Sequence, residues 1–404
     1  MNTDESKSSL SSFNAEKWTY WLLILFGFSL PFSVAINNFF AISIVLLWIY
    51  QKKYHETWNL LQNSNVLKAT VALFLLHIIG LLWTEDIAWG LHMLKKEWIL
   101  LLMPIFMSMV KKQYIRDYIG AFLLAMSISE LTSYLIWFEV IPPILKATVY
   151  DPTPFIHHTS YNPLLAFTVY LTGYYIFFDH TLSKMQKYTF VFFFITMSIN
   201  MFITGGRAGQ VGYVVVVTLL MFQYFNKHLL RAFATSILLL SGVFYMAYTN
   251  SVIFCNRVDL VKTDINNFNI NRNTSVGMRI NFALNSFEII KENPWIGVGT
   301  GDYVKEYTKV NMKNSPTVNI QHHPHNMYLL EMVLFGIVGL LSLLAIFFFQ
   351  IRYAWLSKDA MQKKLGYALA LLFMVISLSD SYLLGHFTSM LFVYFSAFIY
   401  RPFR

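Results

Sequence analysis

A chain of 404 residues in which 56% are hydrophobic and 13% charged lies far to the apolar side of soluble proteins, where about a quarter of residues carry charge. Its single cysteine, Cys255, excludes a disulfide framework and a thiolate metal cluster. The formal net charge of +9 needs no nucleic acid, since basic residues that anchor membrane helices against anionic lipid account for it.

Residues 1–17 are polar and Ser-rich, and no small-residue cleavage site follows the first apolar run, so the N-terminus is expected to be retained and cytoplasmic. Twelve apolar stretches follow, at 18–32, 34–50, 66–83, 94–110, 117–138, 163–178, 188–204, 209–225, 232–248, 325–350, 365–381 and 385–400. Most approach the roughly 20 residues that cross a hydrocarbon layer about 30 Å thick as a helix. The expected fold is an all-α polytopic integral membrane protein of about 12 transmembrane helices. It divides into nine spans over 1–248, one long, partly helical external loop over 249–324, and three spans over 325–404.

Orientation follows from the short connections. With the N-terminus inside, Lys52, Lys53, Lys111, Lys112, Arg116, Lys184, Lys187, Lys227, Arg231, Arg352 and Arg401 all fall on the cytoplasmic side. The short outer connections carry only Lys95, Lys96, Lys146 and Arg207. The positive-inside rule therefore places both termini in the cytoplasm and the long loop outside.

Candidate chemistry gathers on the outer face. Lys95 and Lys96 at the edge of the fourth span, and His157 and His158 in "PFIHHTSYNP", are placed to line a cleft, with snorkelling or loop roles as the competing reading. In "TGGRAGQVG", Gly205, Gly206 and Gly209 surround Arg207 where a span begins. Exposed backbone N–H groups, a helix dipole and a guanidinium together suit an anion; a tight hairpin with a snorkelling arginine is the alternative. In the long segment, "NTSVGMRINFALNSFEIIKENP" reads as a surface helix, with Ser275 as N-cap, Met278, Phe282, Leu284, Ile289 and Ile290 on its apolar face, and Asn293-Pro294 as its stop. It carries Arg279, able to grip phosphate oxygens with two hydrogen bonds. Arg257 and Arg272 upstream read as solvated.

The stretch "HHPHNMYLLEM" leads into the tenth span. Pro324 suits the first helical position, which would set His325 in the first turn, where the positive helix end favours a neutral, proton-accepting imidazole. His322 and His323 are supporting candidates. A metal held by the three histidines competes, but no fourth ligand stands at a familiar spacing, so no metal is expected. Glu331, about a turn inside the span, is expensive there without a partner and is a secondary candidate. "GVGTG" at 297–301 follows a proline instead of a strand and reads as a turn, not a phosphate loop.

Taken together, "GGRAG" at a span boundary, "SVGMRINFALNSFEIIKENPWIGVGTGDY" in one long external segment and "HNMYL" at the next span resemble the bacterial O-antigen ligase and polymerase superfamily of membrane glycosyltransferases. The family's His-Asn-x-x-Leu signature falls on His325, Asn326 and Leu329, its span-edge arginine on Arg207, and the arginine before its Pro-x-x-Gly-x-Gly element on Arg279. The resemblance implies a GT-C-like enzyme of the bacterial inner membrane, with its site facing the periplasm. Such an enzyme moves a glycan from undecaprenyl diphosphate to a hydroxyl, with no cofactor and no metal. It implies His325 as general base and Arg207 and Arg279 on the diphosphate; His322, His323, Asn326, Gly206, Lys96 and Glu331 stand beside these as further candidates. Its implied partners are the lipid-linked polysaccharide, lipid A-core and membrane lipids, without nucleic acid. A polymerase typically has two long external loops and an arginine followed eleven positions on by glycine; here Thr218, Ala283 and Ile290 stand at that offset from Arg207, Arg272 and Arg279. Ligase is therefore the expected activity, polymerase the alternative. A polysaccharide-lipid exporter is the non-enzymatic rival, but charge gathers at the outer rim and not along the spans.

Overall fold

The computed structural model describes residues 14–268 and 270–403; the first 13 residues and the side chains of Val252, Ile253 and Arg257 lie outside what it describes. The described residues form seventeen α-helices and no strand. In chain order these are α1 (Ala15–Ser29), α2 (Val34–Tyr50), α3 (Tyr54–Asn63), α4 (Asn65–Gly80), α5 (Ile87–Glu97), α6 (Leu102–Met109), α7 (Ile115–Trp137), α8 (His158–Phe178) and α9 (Lys184–Ile203). There follow α10 (Arg207–Phe225), α11 (Leu229–Asn250), α12 (Val252–Asn266), α13 (Ser275–Glu292), α14 (Tyr303–Asn314), α15 (Met327–Leu356), α16 (Ala360–Ile376) and α17 (His386–Ile399).

Each of the twelve apolar stretches falls on helix, the one at 94–110 on α5 and α6 joined by a 3-10 turn at Trp98–Leu101. Four helical stretches, Lys112–Trp137, Arg207–Phe225, Leu229–Asn250 and Met327–Leu356, are long and apolar enough by themselves to cross a membrane; α2 and α3 form a further apolar pair bent by 105°. Around the central α8, buried over most of its length, pack α9, α10, α16 and α17. Their core is aromatic, with Phe167 edge-on to Phe395 at 4.8 Å and Phe395 against Phe122 at 5.1 Å.

The bundle has two polar ends. One gathers the turns 51–53, 110–114, 179–183 and 357–359 with the chain's last residues, through Arg401–Glu56, Lys112–Asp359, Arg116–Asp179 and Lys111–Glu16 ion pairs. At the other end meet the starts of α8, α10, α15 and α17, together with α13 and α14.

The long segment holds three helices where the sequence singled out one. The expected helix is α13, but its N-cap is Thr274, whose hydroxyl accepts from the Gly277 N–H at 3.1 Å, and not Ser275. Phe282, Ile289 and Ile290 are buried as expected, whereas Leu284 is 51% exposed. Asn281 and Asn285 of α13 donate to Ser315 Oγ at 2.9 and 3.1 Å and to Asn311 Oδ1 of α14 at 3.3 and 3.1 Å, locking the two helices by a buried polar cluster.

"GVGTG", expected as a turn, does more than turn the chain. Helix α15 is interrupted at Gly336, whose φ of 60° and ψ of −146° only glycine adopts without strain. The 294–299 backbone fills the break: Val298 N–H donates to Val333 O at 3.0 Å, Gly299 N–H to Leu334 O at 2.9 Å, and Ile337 N–H to Pro294 O at 2.9 Å. The approach is so close that a Cβ on Gly297 would lie 2.3 Å from the Leu334 carbonyl carbon. Just beyond, Asp302 accepts from the Glu85 and Asp86 N–H groups, each at 2.8 Å, and so fixes the entry into α5.

Candidate active site

His325 does not enter the first turn of α15. The helix begins at Met327, and Asn326 is its N-cap, its Oδ1 accepting from Leu329 N–H at 3.0 Å. A capping side chain that satisfies an orphan N–H outweighs the preset φ of Pro324. His325 therefore precedes the cap with a left-handed φ of 52°, a sparsely populated conformation for a residue with a Cβ, kept where the surroundings enforce it. Those surroundings are visible. Asn326 Nδ2 donates to Leu378 O at 3.1 Å, Met327 N–H to Ser377 O at 2.8 Å, and the His325 ring stacks on Phe282 at 5.8 Å. The His-Asn-x-x-Leu motif is thus a display device, with Asn326 as both cap and tether.

The partner of His325 is Asp380, in the turn between α16 and α17. Its Oδ1 lies 3.4 Å from His325 Nδ1 and 3.5 Å from His323 Nδ1. The His325 Nδ1 atom is itself buried and makes no aligned hydrogen bond, so a shift of a few tenths of an ångström is needed to close the pair. Burial pushes His323 down to about 4, with Asp380 pulling the other way; it is a neutral ring at neutral pH. His323, His325 and Asp380 are also one of two groups among the described residues whose donor atoms could hold a metal ion.

A cavity of about 230 Å³ opens beside this group, lined by His322, His323, Asp380 and Tyr382, by Trp89, Met93 and Lys96 of α5, and by Thr159 and Ser160 of α8. The structure thus brings Lys96 and His322 to the cavity, both against Trp89: the ammonium 5.9 Å above the ring and the imidazole 4.8 Å from its centroid. Arg279 is exposed on α13 and its charge reaches Tyr382, where burial and Asp380 nonetheless hold the phenol above its ordinary value. Arg207 opens α10, with Gly206 as its N-cap. Gly206 packs so tightly on the first turn of α8 that an added Cβ would lie 2.5 Å from His158 O. That turn of α8 is the wall shared by the Arg207 corner and the cavity. Asp151 reinforces the corner, accepting from Gly205 N–H at 3.1 Å and facing His158 Nδ1 at 2.5 Å.

Glu331 belongs elsewhere. It is 0% exposed and faces His77 and Glu97, not the cavity. Asp380, Trp89 and Tyr382 are residues that sequence reasoning did not select. The available signal was an acidic residue at the outer edge of an apolar span, in "SLSDSYLLGH", which is expensive without a partner.

Comparison with known proteins bears on residues 192–344, which match the model of the family described as O-Antigen ligase; the resemblance read from the motifs holds over that segment. It contains Arg207, Arg279 and His325, but not Lys96 or Asp380. The chain is also similar to an uncharacterized protein of Haemophilus influenzae, 28% identical over 184 residues, or 43% of this chain and 46% of that one. It spans less than half the length of this relative.

Proposed function

We propose that this chain, of the O-antigen ligase family through residues 192–344, is an O-antigen ligase of the bacterial inner membrane. It transfers a glycan from undecaprenyl diphosphate to a hydroxyl of lipid A-core on the periplasmic face, with both termini in the cytoplasm. The observation that carries this reading is the His325–Asp380 pair, held beside a cavity that Lys96 also lines.

Once the pair closes, Nδ1–H donates to Asp380 and Nε2 is the free base. Nε2 takes the proton of the acceptor hydroxyl as the acceptor oxygen attacks the anomeric carbon. The bond from that carbon to the diphosphate oxygen breaks in the same displacement, inverting the centre, and the electron pair leaves on the diphosphate. Asp380 stabilises the imidazolium that forms, as the acid partner of a base does elsewhere. Arg207 and Arg279 hold the diphosphate and stabilise its growing charge, with the N-terminus of α10 behind Arg207. Lys96 adds a third cation. Each step falls to side chains of this chain, without a catalytic metal.

Ligase is preferred to polymerase on the single long external segment and the missing arginine-to-glycine spacing. Purified protein given lipid-linked glycan and, separately, lipid A-core tests this. Sugar on lipid A-core is expected; lengthening of the donor glycan alone would make it a polymerase, and transport without transfer an exporter.

A further inference from the structure

The second cluster of metal-capable side chains lies inside the bundle. His77 of α4, Glu97 at the end of α5 and Glu331 of α15 are 0%, 1% and 0% exposed. Their donor atoms all lie within 4.8 Å of one another. His77 Nε2 is 2.9 Å from Glu97 Oε1 and 3.7 Å from Glu331 Oε1.

The tautomer of His77 is set from the other side of its ring. Nδ1 lies 3.1 Å from Leu73 O, and a carbonyl oxygen only accepts, so Nδ1 carries the hydrogen. In the neutral ring Nε2 then presents a lone pair to two carboxylates, an arrangement that repels itself unless something positive stands between them. A proton on Nε2 fits poorly. Neither Nε2 nor any of the four carboxylate oxygens of Glu97 and Glu331 makes a hydrogen bond, so the 2.9 Å contact lies off the N–H direction. Neutrality in a site closed to water needs two positive charges against the two carboxylates, from two protons or from one divalent cation, and no hydrogen bond within the trio marks a proton. A divalent cation balances a neutral imidazole and two carboxylates to zero.

The spacing suits such an ion. Donors about 2.0–2.2 Å from zinc, at angles of about 90–110°, stand about 3 Å or slightly more from one another, and the two measured separations bracket that. A ligating histidine also usually donates its second ring N–H to a carbonyl or carboxylate, as His77 does. Phe335 packs edge-on against the ring at 4.5 Å, and the Thr300 hydroxyl donates to the His77 backbone carbonyl at 2.6 Å.

We infer that His77, Glu97 and Glu331 form a structural site for a first-row divalent cation, zinc being the expected ion, which pins α4, α5 and α15 together beneath the His325 turn. Imidazole and carboxylate donors without thiolate suit zinc, manganese or iron, and neutral charge balance and small donor number favour zinc. The ion takes no part in glycan transfer, and the inference is independent of that reading.

The test is the metal content of the full chain, purified in detergent from zinc-supplied cells and desalted in chelating buffer, by elemental mass spectrometry. About one zinc per chain is expected in wild type and in Asp380→Asn, and less than about a tenth of that in the Glu97→Gln/Glu331→Gln double variant. A wild type with less than about a tenth of an equivalent, or a double variant that keeps its zinc, overturns the site. X-ray absorption of wild-type protein decides without any variant. A nitrogen and oxygen shell with one imidazole supports His77, whereas two imidazoles would move the ion to His323 and His325. Metal content is indifferent to transfer activity, so a failed site and a failed ligase reading are told apart.

Discussion

The two polar ends of the bundle are built on opposite principles. At the end marked by the chain's last residues, cations meet anions and carbonyls directly. Arg401 is the strongest case: one guanidinium nitrogen donates to Met107 O at 2.6 Å and to Val110 O, and the other reaches Glu56 at 2.8 Å. At the opposite end His325 holds a left-handed backbone, His325 Nδ1 lacks an aligned partner, and a cavity stands open. One end pairs its cations with anions and carbonyls; the other holds His325 with no aligned partner on Nδ1, and it is there that we propose the chemistry lies.

Substitutions can break or sharpen this contrast. His325→Ala should lower transfer about 10²- to 10⁴-fold with insertion unchanged, since the base is lost; wild-type levels of glycosylated lipid A-core in a strain carrying only this variant would remove His325 from the mechanism. Asp380→Asn should cost about 10²-fold in kcat while KM for the acceptor holds, because orientation of the imidazole is lost and not binding. An unchanged kcat would leave Asp380 a bystander. Arg207→Lys should remain about tenfold below wild type, because a point charge cannot reproduce the planar fork; full activity would reduce Arg207 to a charge anchor.

The end held by Arg401 should respond in stability instead. Arg401→Ala removes a donor from the Met107 and Val110 carbonyls and leaves Glu56 with Lys53 alone, and should cost about 1–3 kcal/mol of stability, seen as a lower Tm, with kcat unaffected. The exposed pairs there, Arg116–Asp179 and Lys111–Glu16, contribute only about 0–1 kcal/mol each. The smallest effect is a pH slope. His323 is held at about 4 in the fold against an ordinary 6.5, so the stability of its neutral form is complete above pH 6.5 and is lost as pH falls toward 4. His323→Ala should flatten the fall in Tm over that window.

Helix positions, the Arg207 corner and the His-Asn-x-x-Leu motif were legible in sequence because each is local: an apolar run, a glycine turn, a short pattern. Asp380 was not, because it reaches His325 across 55 positions of chain (380 − 325), through contacts that no local pattern encodes. Glu331 reads as costly without a partner, but its partners stand at positions 77 and 97, too far along the chain for a local pattern to name them. The place of His325 was missed by a competition within three residues, in which the Asn326 cap prevailed over Pro324.

The break in α15 has a consequence for how the protein is made. Residues 294–299, which complete the helix at Gly336, leave the ribosome before the helix they complete. The carbonyls of Val333 and Leu334 therefore find their donors already synthesised when they emerge, and in a lipid setting that supplies no substitute donor chain order itself protects the interruption.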